Sequence, residues 1–130
     1  MNPQLKYTRL WLTLGALLIA LIWYLSLTPD PPDTGIDNGD KVGHFLAYGL
    51  LMGWFAQIYI QLKPRLWLML GFILMGVLLE VLQGMSGLRT YSYADMAANT
   101  TGVFIGLLLS QGPMARLLQH VEQRFVNLKF

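Results

Sequence analysis

Four long apolar stretches alternate with short polar segments along the chain. They cover residues 10–27, 42–62, 66–79 and 96–109, and the first contains no Asp, Glu, Lys, Arg or His. A helix needs about 20 predominantly apolar residues to cross a bilayer, and a continuous apolar run of this kind is a transmembrane candidate. The pattern predicts an all-α integral membrane four-helix bundle with spans at residues 8–28, 41–62, 65–84 and 94–111.

The segments between the stretches contain residues that end helices. Pro29, Pro31 and Pro32 follow the first stretch, Lys63-Pro64-Arg65 is expected to form a tight turn after the second, and Gly112-Pro113 follows the fourth. We therefore expect residues 1–111 to form one transmembrane domain. A cleaved signal peptide is the alternative for the first stretch, but signal peptides have shorter apolar regions and a small-residue cleavage site. The long run favours a retained helix.

The remaining residues, 112–130, have a different pattern. Apolar residues recur at helical spacing, and polar residues occupy the other side of the helix. We expect an amphipathic helix on the cytoplasmic surface of the membrane, with a partner-binding helix as the alternative. The apolar set is Met114, Leu117, Leu118, Val121, Phe125 and Leu128, and the polar set is Arg116, Gln119, Glu122, Gln123 and Arg124.

Composition and charge narrow the class of protein. Hydrophobic residues make up 55% of the chain and charged residues 12%, and there is no Cys. These values exclude a disordered chain, a disulfide scaffold and a Cys-based zinc module. The net charge is only +2 and no basic run occurs, so we expect no nucleic-acid partner. The sequence indicates neither a cofactor nor an oligomeric state.

The basic residues predict the orientation in the membrane. Cytoplasmic flanks carry an excess of Lys and Arg, and here the flanks on one side hold most of the nine basic residues. Both termini are therefore expected in the cytoplasm. The basic residues on that side are Lys6, Arg9, Lys63, Arg65, Arg116, Arg124 and Lys129, whereas Lys41 and Arg89 lie on the other side.

This topology brings polar residues from separate stretches to the outer end of the bundle. The second span begins with Asp40, Lys41 and His44, the third ends with Glu80 and Gln83, Arg89 lies in the following loop, and the fourth begins with Asp95 and Asn99. Asp95 and Asn99 share a helix face with Gly102 and Gly106, so we expect this face to point into the bundle. Glu80 is the most informative of these residues, because a carboxylate inside the membrane is costly and by default functional.

Most of these residues also have structural explanations. Asp40 is suited to a helix N-cap, and Asp95 to a capping box with Ser92. Lys41 and Arg89 can extend to lipid headgroups, and Asn99 can join two helices. Gly49 and Gly53 have the spacing of ordinary helix packing, on a face of the second span that we expect to differ from that of His44.

Three short motifs in this region resemble the signature of a known family. They are Asp40-Lys41-x-x-His44, Glu80-x-x-Gln83, and Arg89-x5-Asp95-x3-Asn99-x2-Gly102. In this order, over residues 10–110, they resemble the VanZ-like family of bacterial membrane proteins, named after a teicoplanin-resistance protein. The resemblance implies a multi-pass protein of the bacterial cytoplasmic membrane and the cell envelope. It does not imply a defined activity, and the tail lies outside it.

The residues leave two main hypotheses for function open. In the first, the protein binds or modifies a cell-envelope lipid at the outer leaflet. Glu80 and Asp95 then act as general acid and base with His44 as proton carrier, while Lys41 and Arg89 hold an anionic headgroup. In the second, it is a non-enzymatic accessory or structural membrane protein. A metal site of His44, Glu80 and Asp95 is a weaker hypothesis, because no H-E-x-x-H spacing occurs. The candidate binding residues are Asp40, Lys41, Gln83, Arg89 and Asn99.

Overall fold

The structure, a computed structural model, describes residues 2–28, 39–86, 93–112 and 114–129. All regular secondary structure in these ranges is helical, which confirms the all-α prediction. The first four helices occupy the four apolar stretches, and the fifth lies in the tail. In chain order they are α1 (Thr8–Leu27), α2 (Gly39–Ile58), α3 (Leu62–Met85), α4 (Tyr93–Gln111) and α5 (Leu117–Lys129).

The reversal between α2 and α3 lies earlier than the sequence predicts. We expected Lys63-Pro64-Arg65 to form the turn and the third span to begin at residue 65, but all three residues belong to the first turn of α3. Residues 59–61 make the turn instead. A proline is tolerated in the first helical turn because the N–H groups there have no partner within the helix.

Helix α2 is the centre of the fold, since it contacts each of the other four helices. Leu51 and Met52, in its middle, are completely buried. Phe55 packs against Phe72 of α3 with ring centroids 5.6 Å apart. One continuous apolar core therefore joins α2 to its neighbours.

The closest approach between two helices is that of α2 to α4, and it depends on glycine. A Cβ atom at Gly102 would overlap the carbonyl oxygen of Phe45, and one at Gly106 would lie 2.5 Å from the carbonyl oxygen of Gly49. Small residues allow helix backbones to approach in this way. The packing role predicted for Gly49 is confirmed, but its separation from the face of His44 is wrong: both residues contact α4.

The outer surface of the bundle is apolar. Helices α1 and α3 are each long and apolar enough to cross a membrane, judged by length and composition. Leucines at positions 10, 14, 17 and 21 of α1 are exposed, and so are those at positions 66, 70, 74 and 78 of α3. The leucines are spaced by four and three residues in α1 and by four residues in α3, so in each helix they lie along a single face.

The chain termini meet at one end of the bundle, which we call the termini end. The backbone N–H of Asn2 donates to the carbonyl oxygen of Ile58, the last residue of α2, at 2.6 Å. The side-chain amide of Gln57 donates to the carbonyl of Met114 at 2.6 Å, and its oxygen accepts the N–H of Leu118 at 3.2 Å. These bonds fix α5 against the end of α2.

Glu122, which we placed on the polar side of the amphipathic tail, is buried in the structure. Only 2% of the residue is exposed. Its carboxylate accepts the backbone N–H groups of Lys6 at 2.5 Å and Tyr7 at 3.0 Å, and the indole N–H of Trp11 at 2.7 Å. A carboxylate at the start of α1 satisfies donors that have no partner within the helix and suits the positive end of the helix dipole.

The amphipathic tail therefore also packs against the bundle. In the described part of the tail, Leu118 and Glu122, one turn apart, are buried, whereas Leu117, Val121 and Phe125 are exposed. The exposed apolar residues keep the amphipathic pattern. The polar side was assigned wrongly at Glu122, because the N-terminal segment covers that side of α5.

Candidate functional site

The candidate site is a group of polar side chains at the end of the bundle opposite the termini end. We call it the polar cluster. It lies where α1 and α3 end and where α2 and α4 begin, because these helices alternate in direction. Its members are His44, Glu80, Gln83, Asp95 and Asn99, and all except the half-buried His44 are buried.

A hydrogen bond between His44 and Asn99 joins α2 to α4. The Nδ1 atom of His44 lies 2.9 Å from Oδ1 of Asn99. An amide oxygen only accepts hydrogen bonds, so Nδ1 carries the proton in this contact.

Asn99 also lies against α3, where it packs closely on Gly76. A Cβ atom at Gly76 would lie 3.2 Å from Nδ2 of Asn99 and 3.4 Å from the ring of Tyr48. Both neighbouring side chains are buried. The amide of Asn99 therefore lies between α2 and α3, against a small residue.

Glu80 and Gln83 lie within one turn of each other on the buried face of α3. Glu80 is 1% exposed and Gln83 is 3% exposed. The side-chain amide of Gln83 donates to the carbonyl oxygen of Ser26 in the last turn of α1, at 2.5 Å. Glu80 lies within electrostatic range of the Tyr48 hydroxyl. Through these side chains α3 reaches both α1 and α2.

Asp95 lies in the first turn of α4 and is 9% exposed. The buried residues that follow it include Asn99, Gly102 and Gly106. This confirms that the polar end of the fourth helix continues the face that points into the bundle.

Three of the candidate residues are described incompletely or not at all. The side chains of Asp40 and Lys41, at the start of α2, lie outside what the structure describes, and so does the whole of Arg89. Ser92, the partner in the expected capping box, also lies outside the described residues. The proposed anion-binding and capping roles of these residues remain predictions.

The described part of the cluster offers several proton-transferring groups in buried surroundings. Glu80 and Asp95 supply carboxyl groups, and His44 supplies an imidazole whose orientation is set by Asn99. Within the described ranges, no group of three or more His, Asp or Glu side chains is arranged to hold a metal ion. Acid–base chemistry is the chemistry that these side chains themselves can supply.

Sequence reasoning missed several residues that position the cluster. Gln83 donates to the backbone carbonyl of Ser26, and Glu80 lies within electrostatic range of the buried Tyr48. Asn99 packs against Gly76, where no side chain intervenes. Tyr48 and Gly76 each lie one turn from a recognised residue, four positions after His44 and four before Glu80. Helical spacing was therefore a usable signal for both, whereas a backbone carbonyl gives none.

No protein family, curated protein or solved structure matches this chain.

Proposed function

We propose that this chain is a multi-pass protein of the bacterial cytoplasmic membrane, with four spans and both termini in the cytoplasm. The apolar outer surface supports this. Only 22% of the apolar window in α1 and 28% of that in α3 is buried, whereas a core helix of a soluble protein is mostly buried. Soluble monomers rarely expose apolar patches of such extent, and lipid would cover these faces.

The packing of α1 supports a retained helix over a cleaved signal peptide. Trp11 and Trp54 of α2 meet edge to face with centroids 5.9 Å apart, and the indole N–H of Trp54 donates to the carbonyl of Trp11 at 2.9 Å. Ile22 of α1 belongs to the main core. Removal of this helix would expose that core.

We further propose that the polar cluster binds or chemically transforms a cell-envelope lipid at the outer leaflet. The burial of Glu80 in an otherwise apolar helix is the observation that carries this proposal. Burial of a carboxyl group is costly unless it is paired, and here it lies within electrostatic range of the Tyr48 hydroxyl, at the end of the bundle that also holds His44 and Asp95. Glu80 and Asp95 serve as general acid and base, His44 carries protons, and Lys41 and Arg89 hold the anionic headgroup.

The remaining binding candidates are Gln83, Asn99 and Asp40. Gln83 and Asn99 already use polar atoms for bonds between helices, so they position the cluster as well as contact a ligand. Asp40 remains a binding candidate at the outer end of the second span. The resemblance to the VanZ-like family stays part of the proposal, and it suggests a role in the cell envelope without a particular reaction.

A non-enzymatic role is the second candidate, and the same hydrogen bonds favour it. Gln83 joins α3 to α1, and the contact between His44 and Asn99 joins α2 to α4. Such bonds fix the register of helices in a bilayer. The protein would then act through partner proteins, and the cluster would serve only its fold.

The variant Glu80→Gln distinguishes the two roles, because it removes the charge and the proton affinity but keeps the shape. We expect a folded, membrane-inserted protein that fails to restore the envelope lipid composition of a deletion strain. Glu122→Gln is the matched control: it changes a buried carboxylate at the other end of the bundle, so it lowers thermal stability and still restores the lipids.

Two results would contradict the chemical role. One is an unchanged set of envelope lipids in the deletion strain relative to its parent. The other is full complementation by Glu80→Gln together with a stability equal to or above that of the unmodified protein. The second result would assign Glu80 to the structure, because burying an amide costs less than burying a charge. In that case Glu80→Leu should be the more damaging variant.

A further inference from the structure

A polar cavity of about 650 Å³ lies at the termini end, away from the polar cluster. The N-terminal segment, the start of α3, the end of α4 and the residues leading into α5 form its walls. Its polar lining consists mainly of amide and guanidinium groups, contributed by Asn2, Gln4, Arg65, Gln111, Arg116 and Gln119. Among the described residues that line it, none is acidic.

Arg65 is the buried cation of this cavity, with 6% of the residue exposed. Its Nε donates to the carbonyls of Ala56 at 3.2 Å and Tyr59 at 2.9 Å, and its Nη2 donates to Ala56 at 2.6 Å. These bonds cap the end of α2, where carbonyls lack partners and a cation is favoured. Within the described part of the chain, Nη1 makes no hydrogen bond, so part of the donor fork remains available.

Arg116 brings a second guanidinium to the same cavity. Arg116 lies just before α5 and is exposed, so it does not contribute to the buried core. In the described ranges neither Arg65 nor Arg116 forms an ion pair with a carboxylate. Glu122, the nearby buried acid of α5, is occupied by the start of α1.

We propose that this cavity binds a phosphate group through Arg65 and Arg116. The planar fork of a guanidinium matches the oxygens of a phosphate, which accepts paired, charge-assisted hydrogen bonds. Side-chain amides of Asn2, Gln111 and Gln119 add neutral donors around the two cations. An anion would balance two positive charges that no acidic residue of the cavity wall balances. The phosphate comes either from a lipid headgroup or from a soluble compound.

The capping role of Arg65 decides which residue to vary. Replacement of Arg65 would remove the cap of α2 and disturb the fold. Arg116 is exposed and makes no structural bond through its side chain in the described part of the chain, so Arg116→Gln isolates the binding role. Arg124→Gln is the matched control, because it removes an exposed arginine of the nearby helix α5 that does not line the cavity.

The test measures the melting temperature of the full chain in detergent with two pairs of additives. The first pair is inorganic phosphate against chloride at equal ionic strength. The second is dioleoyl phosphatidic acid against dioleoylglycerol, which has the same acyl chains and no phosphate. We expect phosphate or phosphatidic acid to raise the melting temperature of the unmodified protein and of Arg124→Gln. In Arg116→Gln the apparent affinity should fall about tenfold, the effect of losing a hydrogen bond to a charged group.

The two pairs identify the source of the phosphate. Stabilisation by phosphatidic acid alone assigns the cavity to a lipid headgroup, and stabilisation by inorganic phosphate supports a soluble anion. The proposal is overturned if neither additive acts, if dioleoylglycerol acts as strongly as phosphatidic acid, or if Arg116→Gln responds like the unmodified protein. Because the polar cluster is not involved, these results are independent of those for Glu80.

Discussion

The carboxylate of Glu122 accepts the indole N–H of Trp11 at 2.7 Å, across almost the full length of the chain. The same carboxylate accepts two backbone N–H groups just before α1. Trp11 also contacts the ring of Trp54. One side chain of the last helix therefore fixes the start of the first helix, which in turn packs against the central helix.

The variant Glu122→Gln should destabilise the protein. It replaces the charged acceptor of three N–H groups by an amide with a single acceptor oxygen. Hydrogen bonds to charged groups contribute about 1.5–3 kcal/mol each, so we expect the free energy of unfolding to fall by about 2 kcal/mol or more. The measurement is thermal unfolding in detergent, with Gln123→Ala, at the exposed neighbouring position, as a control that should change little. Equal melting temperatures for Glu122→Gln and the unmodified protein would contradict the assignment.

Acid should remove the same contribution. Burial raises the pKa of Glu122, but the hydrogen bonds from Lys6, Tyr7 and Trp11 outweigh it and hold the pKa below the ordinary value of 4.5. A depressed pKa in the folded state gives a stabilisation that is complete above pH 4.5 and is lost as the pH falls through the lower, folded value.

We therefore expect Glu122→Gln to be less acid-sensitive than the unmodified protein. The difference in melting temperature between the two should be constant from neutral pH to about pH 5 and should shrink at lower pH. Melting curves of both proteins across this range provide the measurement. A difference that stays constant down to pH 2 would show that the charge of Glu122 contributes nothing to stability.

The contact between α2 and α4 predicts a difference between two glycine substitutions. Gly102→Ala places a methyl group against the carbonyl of Phe45, so the helices must separate, whereas a Cβ atom at Gly71 meets no atom within 4 Å. Overpacking of this kind costs about 1–3 kcal/mol, while alanine is the better helix former. Gly102→Ala should lower the melting temperature and Gly71→Ala should leave it unchanged or raise it. A Gly102→Ala protein that melts like Gly71→Ala would contradict the close contact.

The proposed orientation predicts which positions an impermeant thiol reagent can label. The chain contains no Cys, so single substitutions give no background. Gly35→Cys, in the segment between the first two spans, should react in intact spheroplasts, and Asn127→Cys, near the end of α5, should react only after the membrane is opened. The reverse labelling would overturn the orientation and move the polar cluster to the inner leaflet.

The sequence was sufficient to predict the helices, because their signal is local. Long apolar runs and helix-breaking residues mark α1 to α4, and the spacing of Asp95, Asn99 and Gly102 identifies the inward face of α4. The turn predicted at Lys63-Pro64-Arg65 was wrong, because a proline occurs both where one helix ends and in the first turn of the next. Sequence alone does not distinguish these two positions.

The contacts at the two ends of the bundle were harder to predict, because they join distant parts of the chain. Periodicity assigns Glu122 to the polar side of an amphipathic helix and does not show that the N-terminal segment covers that side. Arg65 similarly has the sequence context of a cytoplasmic flank. Its burial depends on the carbonyls at the end of α2, which only the fold brings within its reach.

The attachment of Glu122 to the start of α1 has a consequence for biosynthesis. Residues 6–11 leave the ribosome long before residue 122 is synthesised, so the N–H groups that Glu122 accepts in the folded protein must find other partners, such as water, until then. The termini end closes only when the last helix has been translated. Any fusion partner placed at the N-terminus will therefore lie beside the tail in the finished protein, and it must leave room for α5 to dock.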